Sequence, residues 1–250
     1  MSRRIAAIYD IHGNLPALEA VLADVRAEGV DEIVVGGDVV PGPMPRDCID
    51  CLSSLDLAAH FISGNGDREV LASKRGHESA AIPEQFREVM RWNAAQLRAE
   101  DEHLLGQWPA TVRLTIAGWG AVLFCHATPR NDSDIFTRTT PEDRLRPIFE
   151  SAGVSLVVCG HTHMQFDRTI GKTRVVNAGS VGMPFGKPGA YWLLLGPEVE
   201  LRHTRYDLER AAERIRRSGY PDAEEFTSRY VLQPPAEEEM LAAYQRAELH

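Results

Sequence analysis

The sequence predicts an α/β fold with a parallel sheet. Three observations carry this. Short apolar runs alternate with amphipathic helical stretches over the first 65 residues, the apolar runs stop at glycine and asparagine-aspartate punctuation, and no long structureless linker interrupts them. A chain of 250 residues suits one α/β domain, and we read residues 1–250 as a single domain. Hydrophobic residues make up 44% and charged residues 25%, as in an ordinary soluble globular protein.

Ile5 to Tyr9 reads as a strand buried on both faces. Asn14 then stands as the N-cap of a helix whose Leu15, Leu18, Val21, Leu22 and Val25 share one face, with Pro16 tolerated in its first turn and Gly29 at its end. Ile33 to Val35 is the next buried strand, stopping at Gly36-Gly37-Asp38, and a proline loop leads to a helix at Cys48 to Leu55. Ala58 to Ile62 reads as a third buried strand, ending at Gly64-Asn65-Gly66-Asp67.

A helical insertion follows at about 68–108, with helices near Pro83 to Arg98 and Asp101 to Trp108 and a polar segment at Ser73 to Ala80. Val112 to Ile116 and Ala121 to Phe124 form two strands around Gly118 and Gly120. After a polar loop at His126 to Thr140 come a helix at Pro141 to Ala152 and a buried strand at Val154 to Val158. Strands near Gln165 to Ile170, Arg174 to Val176, Ala190 to Leu195 and Val199 to Tyr206 suggest an antiparallel run. The C-terminal segment, about 207–250, is helical and broken by Pro234-Pro235.

Several function classes are disfavoured at once. A net charge of -9 argues against a general nucleic-acid or membrane-surface binder. No apolar run approaches 18 residues and no signal-type segment opens the chain, so a cytoplasmic location is expected. Four cysteines are too few for a disulfide framework, and Cys48-x-x-Cys51, lacking a second pair, reads as two small apolar helix residues. Gly179-Ser180-Val181-Gly182 lacks the lysine and following helix of a phosphate-binding loop.

What ends the strands is informative. The first three end in Asp10-Ile11-His12, in Asp38 and in Asn65; Ala121 to Phe124 runs to His126, and Val154 to Val158 to Gly160-His161-Thr162-His163. Ligand sites in α/β sheets lie at the carboxyl ends of strands, so seven metal-competent side chains reach one edge. Extended backbone would point Asp10 with His12, and His161 with His163, the same way, while Gly36, Gly37, Gly64 and Gly160 permit tight turns. This donor mixture suits Mn, Fe, Zn, Co or Ni. Seven donors exceed what one tetrahedral ion needs, whereas two ions sharing a carboxylate fit. Two dications against Asp10 and Asp38 leave a positive surplus, which favours an anionic substrate such as a small phosphate ester.

Asp10-x-His12, Gly37-Asp38, Gly64-Asn65, His126 and Gly160-His161-x-His163, in this order, resemble the calcineurin-like metallophosphoesterases. The stretch from Asp10 to Leu22 and the turn Asn177-Ala178-Gly179-Ser180 are similar to the small prokaryotic phosphodiesterase branch, with Ala178 in place of its proline. The resemblance implies a four-layer α-β-β-α sandwich with two mixed sheets. It implies two divalent transition-metal ions, with manganese favoured. Asp10, His12 and His163 would hold one, Asn65, His126 and His161 the other, and Asp38 would bridge them. A bridging hydroxide would attack phosphorus in line, which makes Asp38, Asn65 and His126 the candidate catalytic residues. A phosphodiesterase is expected, with a phosphomonoesterase as the alternative and a non-catalytic scaffold as a further one.

Asn14, Asp67, Arg68 and Arg130 are candidate substrate contacts, each with a plain alternative: a helix cap for Asn14, a salt-bridged loop for Asp67 and Arg68, and a solvated loop for Arg130. His60, His77, His103, His203 and His250 are expected to be structural or surface residues, His77 being the one whose loop could reach the site. Many family members carry a histidine after the ligand asparagine that protonates the leaving group. Gly66 stands there instead, so an enzyme without a dedicated acid at this position is expected, and Gly66→His should help poor leaving groups. Self-association into a homo-oligomer stays open.

Overall fold

A computed structural model describes residues 3–79 and 82–248. Ala80, the end of the expected polar segment, and His250 lie outside the described residues. The β-α-β-α-β opening is formed by β1 (Ile5–Ile8), α1 (Leu15–Ala27), β2 (Glu32–Val35), α2 (Pro45–Ser53) and β3 (Ala58–Phe61). Asn14 caps α1 by accepting the Ala17 amide at 3.2 Å. Then come α3 (Asn65–Lys74), α4 (Glu84–Gln96), α5 (Ala99–Leu105), β4 (Thr111–Ile116), β5 (Gly120–Cys125), α6 (Glu142–Glu150), β6 (Leu156–Cys159), β7 (Phe166–Ile170), β8 (Thr173–Asn177), β9 (Ala190–Leu195) and β10 (Val199–Thr204). The chain ends in α7 (Leu208–Arg216), α8 (Ala223–Phe226), a π-helical turn at Thr227–Leu232 and α9 (Glu237–Tyr244).

The strands form two five-stranded mixed sheets, ordered β10-β9-β1-β2-β3 and β4-β5-β6-β8-β7. Side-chain alternation sets the layering. Ile5, Ala7 and Tyr9 turn inward to meet Val122, Phe124, Leu156, Val158 and Val176 of the second sheet. Ala6, Ile8, Ile33 and Val35 turn the other way, onto Leu18, Val21 and Leu22 of α1 and Ile49 of α2. Leu123, Val157 and Val175 back onto Leu145, Ile148 and Phe149 of α6. The result is the four-layer α-β-β-α sandwich.

Two expectations are corrected. Strand β3 is the edge of its sheet and none of its residues is fully buried, because nothing pairs beyond it. The four late strands are not one antiparallel run: the β7–β8 hairpin joins the second sheet, where β8 lies parallel to β6, while β9 and β10 cross to the first. Local alternation is the same in both arrangements, so only long-range pairing separates them.

Helices α3 to α5 extend the first helical layer, with Val70, Leu71, Ala94, Leu97 and Leu105 in its core. A satellite core seats the tail, where Ala211, Ile215, Tyr220, Phe226 and Val231 pack with Val89 of α4. No helix among the described residues is long and apolar enough to cross a membrane. All four cysteines are free, with Cys48 buried in α2.

Candidate metal centre

The loops at the strand ends are built in the left-handed backbone region. Asp10, His12, Asp38, His161 and His163 have φ of 54°, 46°, 51°, 67° and 60°, and they are the non-glycine residues with positive φ among the described residues. The expected extended pairing of Asp10 with His12, and of His161 with His163, is therefore wrong in its cause. The side chains converge through tight turns, not strand alternation. Such conformations cost on the order of 1–3 kcal/mol each and persist only where neighbours enforce them.

The enforcing contacts are largely backbone. Asp10 and His12 donate to the carbonyls of Gly37 and Asp38 at 3.1 and 2.9 Å, and Gly182 donates to the Asp10 carbonyl at 3.0 Å. The Ser180 hydroxyl donates to that same carbonyl at 2.8 Å, and the Asn177 amide donates to the Gly160 carbonyl at 2.6 Å. The turn at 177–180 thus brings the second sheet back beside the first. Asp67 takes three amides on its buried carboxylate, from Asp38 and Val40 at 2.9 and 3.1 Å and from Gly64 at 3.0 Å. Ser180 and Asn177 act as loop clamps, in the turn that the sequence marks as similar to the small phosphodiesterase branch.

Two donor groups result: Asp10, His12 and His163, and Asp38, His126 and His161, each with ligand atoms within 4.8 Å of one another. The His12 and His163 Nε2 atoms stand 3.1 Å apart. Their Nδ1 atoms face the Pro41 and Met183 carbonyls at 3.2 and 2.8 Å, and His126 Nδ1 faces the Gly36 carbonyl at 2.9 Å. A proton on each Nδ1 leaves the Nε2 lone pairs aimed at the centre, the arrangement of metal-binding imidazoles. Asp38 Oδ2 lies between the groups, 3.7 Å from His12 Nε2 and 3.6 Å from His126 Nε2. Its Oδ1 accepts the Gly66 amide at 2.7 Å.

The residues fit cations on two observations. Asp10 Oδ1 is buried without a hydrogen-bond partner, although three imidazole Nε2 atoms lie 3.3 to 4.0 Å away. The Asn65 side-chain oxygen faces acceptors, with His126 Nε2 at 3.2 Å. Lone pairs that converge without donors call for positive charge. The buried Asp38 and Asp10 carboxylates also draw positive charge toward them. Burial would lower the His126 pKa, but the Asp38 and Asp10 carboxylates push it up to about 10. Burial and the charge of His126 drive His161 down to about 4. Burial and the Asp38 charge raise Asp67 to about 7 despite its amide donors.

The structure brings all seven candidate ligands together. The candidate substrate contacts are placed differently. The Asn14 amide is spent on its cap and on the Gly182 carbonyl at 3.0 Å, and Asp67 on its clamp. Arg68 pairs with Asp132 at 2.8 Å beside the centre, and Arg130 pairs with Asp134 at 2.5 Å. His60, His103 and His203 bond Glu32, Gln107 and the Pro188 carbonyl. The expectation that Gly66→His would supply an acid is overturned. A Cβ there would stand 2.6 Å from the Val40 carbonyl oxygen and 2.7 Å from Pro41 Cδ, so the position has no room for a side chain. Phe185, unmarked in the sequence, stacks on His163 with ring centroids 5.4 Å apart.

Residues 4–196 match the model of the calcineurin-like phosphoesterase superfamily domain. An uncharacterised protein of Methanocaldococcus jannaschii is 28% identical over 239 residues, covering 87% of this chain and 94% of its own. Among solved structures, a metallophosphoesterase from Sphaerobacter thermophilus is 26% identical with a TM-score of 0.70, covering 92% of this chain and 98% of its own. A hypothetical protein from Pyrococcus horikoshii OT3, at 21% identity, shares the fold with a TM-score of 0.78 over 93% of this chain and 99% of its own. With the left-handed ligand turns, the two convergent donor groups and the four-layer sandwich, the match makes this chain a member of the calcineurin-like phosphoesterase superfamily.

Proposed function

We propose that this chain hydrolyses phosphodiesters with two divalent transition-metal ions, manganese foremost. The observation that carries the reading is the position of Asp38 Oδ2 between two imidazoles of different donor groups, 3.7 and 3.6 Å from each. Asp10, His12 and His163 would hold one ion, Asn65, His126 and His161 the other, and Asp38 both. Bound there, the ions supply Lewis acidity and a nucleophilic hydroxide at neutral pH.

The protein's own part is positioning. Amide and carbonyl clamps fix the donors before substrate arrives, so little reorganisation accompanies reaction. Gly66 holds Asp38 through its amide. Arg68, whose partner Asp132 has its carbonyl 3.2 Å from the Asn65 side chain, is suited to contact the ester at the rim. Arg68 is already paired with Asp132, and Arg130 with Asp134. With the Arg68 charge largely offset, the rim suits the single charge of a diester better than the two of a monoester, which remains the second reading.

Chelated and manganese-loaded protein should be compared on bis-p-nitrophenyl phosphate and p-nitrophenyl phosphate, with metal content measured alongside. We expect up to two ions per chain, preference for the diester and no turnover after chelation. Hydrolysis that survives full metal removal overturns the mechanism. Preference for the monoester selects the second reading, and two bound ions with no turnover of any ester selects the scaffold.

A further inference from the structure

The C-terminal arm is fastened to two loops of the metal centre. The Pro235 carbonyl accepts the Gly186 amide at 2.8 Å, on the loop whose Met183 carbonyl orients His163. Glu237 pairs with Arg138 at 2.5 Å, and Glu248, only 6% exposed, accepts the Thr137 and Thr140 hydroxyls at 3.1 and 2.6 Å. These three partners lie on the loop that follows His126. Between the anchors α9 has no fully buried residue, so polar attachments at chosen points, not a packed face, set its position.

The arm brings one aromatic side chain, Tyr244, up to the Phe185 ring beside the centre. The Tyr244 ring lies 6.3 Å from Phe185, which itself stacks on His163. Tyr244 is half-buried, and among the described residues nothing hydrogen-bonds its hydroxyl. Burial and the nearby Asp10 carboxylate keep its proton in place. The hydroxyl is not sealed inside the protein, so it is accessible to a bound molecule. Tyr244 thus offers a protonated donor on the Phe185 and His163 side of the centre, while Gly66, where the family resemblance implies that many members carry a histidine, is closed by the Val40 carbonyl.

We propose that the C-terminal arm is a wall of the active site and that the Tyr244 hydroxyl donates a hydrogen bond to the phosphoryl group bound there. This rests on the phosphoesterase reading above and adds a substrate-orienting residue to it. The hydroxyl would fix the orientation of an oxygen left free by the metals.

The test compares wild type, Tyr244→Phe and Tyr244→Ala, each loaded with manganese, by metal content, orthophosphate binding in a calorimeter and turnover of bis-p-nitrophenyl phosphate. Phenylalanine keeps the ring against Phe185 and removes only the donor. We expect unchanged metal content and orthophosphate binding weakened by about five- to tenfold in Tyr244→Phe, the worth of one hydrogen bond. Wild-type phosphate affinity in Tyr244→Phe overturns the proposal, including the case where Tyr244→Ala alone is impaired, because the ring then acts only by packing. Wild-type protein that binds phosphate but turns over no ester overturns the phosphoesterase reading and leaves the Tyr244 result standing. Wild-type protein that turns over the diester but binds no orthophosphate overturns the Tyr244 proposal and leaves the phosphoesterase reading standing, and protein that does neither overturns both.

Discussion

The loops at the strand ends and the helical segments around them are held by different forces. In the loops, strained residues are locked by backbone bonds and buried side chains: Asp10 and His12 onto Gly37 and Asp38, Gly182 onto Asp10, Asp67 onto three amides. The surrounding helices pack through apolar residues such as Val70, Leu71, Ala94 and Ile215 and are joined at their surfaces by arginine–carboxylate pairs. Arg91 binds Glu78 and Glu84, Arg75 binds Glu102, Arg98 binds Asp50 and Asp101, and Arg138 binds Glu237. Exposed pairs are worth about 0–1 kcal/mol each, whereas a buried carboxylate serving three amides has no substitute from solvent. The candidate ligands therefore sit where the holding bonds are hardest to replace.

Breaking the loops at Asp38 should have the largest effect. Asp38→Asn should weaken metal binding at both donor groups and lower turnover by more than about a hundredfold, since even partners of metal ligands are worth up to that much. His12→Ala should reduce occupancy of the first group and spare the second. Elemental analysis and spectroscopy of a cobalt-substituted protein would check both. Second-group occupancy lost in His12→Ala but kept in Asp38→Asn would contradict the assignment.

A Cβ at Gly66 sharpens the comparison by loading the loop with strain. Gly66→Ala places an atom 2.6 Å from the Val40 carbonyl oxygen and 3.0 Å from Asp38 Oδ1. We expect about 1–3 kcal/mol of destabilisation, typical of overpacking, with reduced metal affinity, and no rescue of poor leaving groups by Gly66→His. Urea unfolding and metal titration would read this; an unperturbed Gly66→Ala protein would show that the loop yields.

The smallest effect belongs to the surrounding helices. Asp101 caps α5 by accepting the Arg98 amide at 2.8 Å. Burial would raise its carboxyl, but the Arg98 guanidinium and amide hold it below the ordinary range. A depressed carboxyl adds stability above its unfolded pKa, near 4, and loses it as pH falls through the folded value. Asp101→Asn should therefore cost about 1 kcal/mol at pH 7, with the gap narrowing by pH 3. Urea midpoints of the metal-free protein at both pH values would measure it, and a gap that widens in acid would show the linkage runs the other way.

Much of this was legible in the residues. All seven candidate ligands stood out because they lie at or just beyond the ends of short apolar runs, in an order that resembles the family's motifs. The helix cap at Asn14, the break at Pro234-Pro235 and the turn at Asn177 to Ser180 carry local signals of their own. The extended pairing of Asp10 with His12 failed because nothing in the tripeptide reveals left-handed backbone. That state exists only through bonds to Gly37, Asp38 and Gly182, far away in the chain. The same holds for Gly66: a glycine after a ligand looks permissive until the Val40 carbonyl is found against it.

By itself, the sequence determined which segments become strands and helices and which side chains those strands carry to their ends, because hydrophobic period, caps and breakers act over a few residues. Tertiary structure alone decided the rest. It made β3 an edge, divided the late strands between two sheets, and turned five candidate ligand residues into the left-handed region. It also brought Tyr244 of the last helix to Phe185 beside His163. These outcomes depend on pairing between segments tens to hundreds of residues apart, where local composition is the same whichever partner is chosen, and only burial of both sheet faces and satisfaction of the loop amides selects one arrangement.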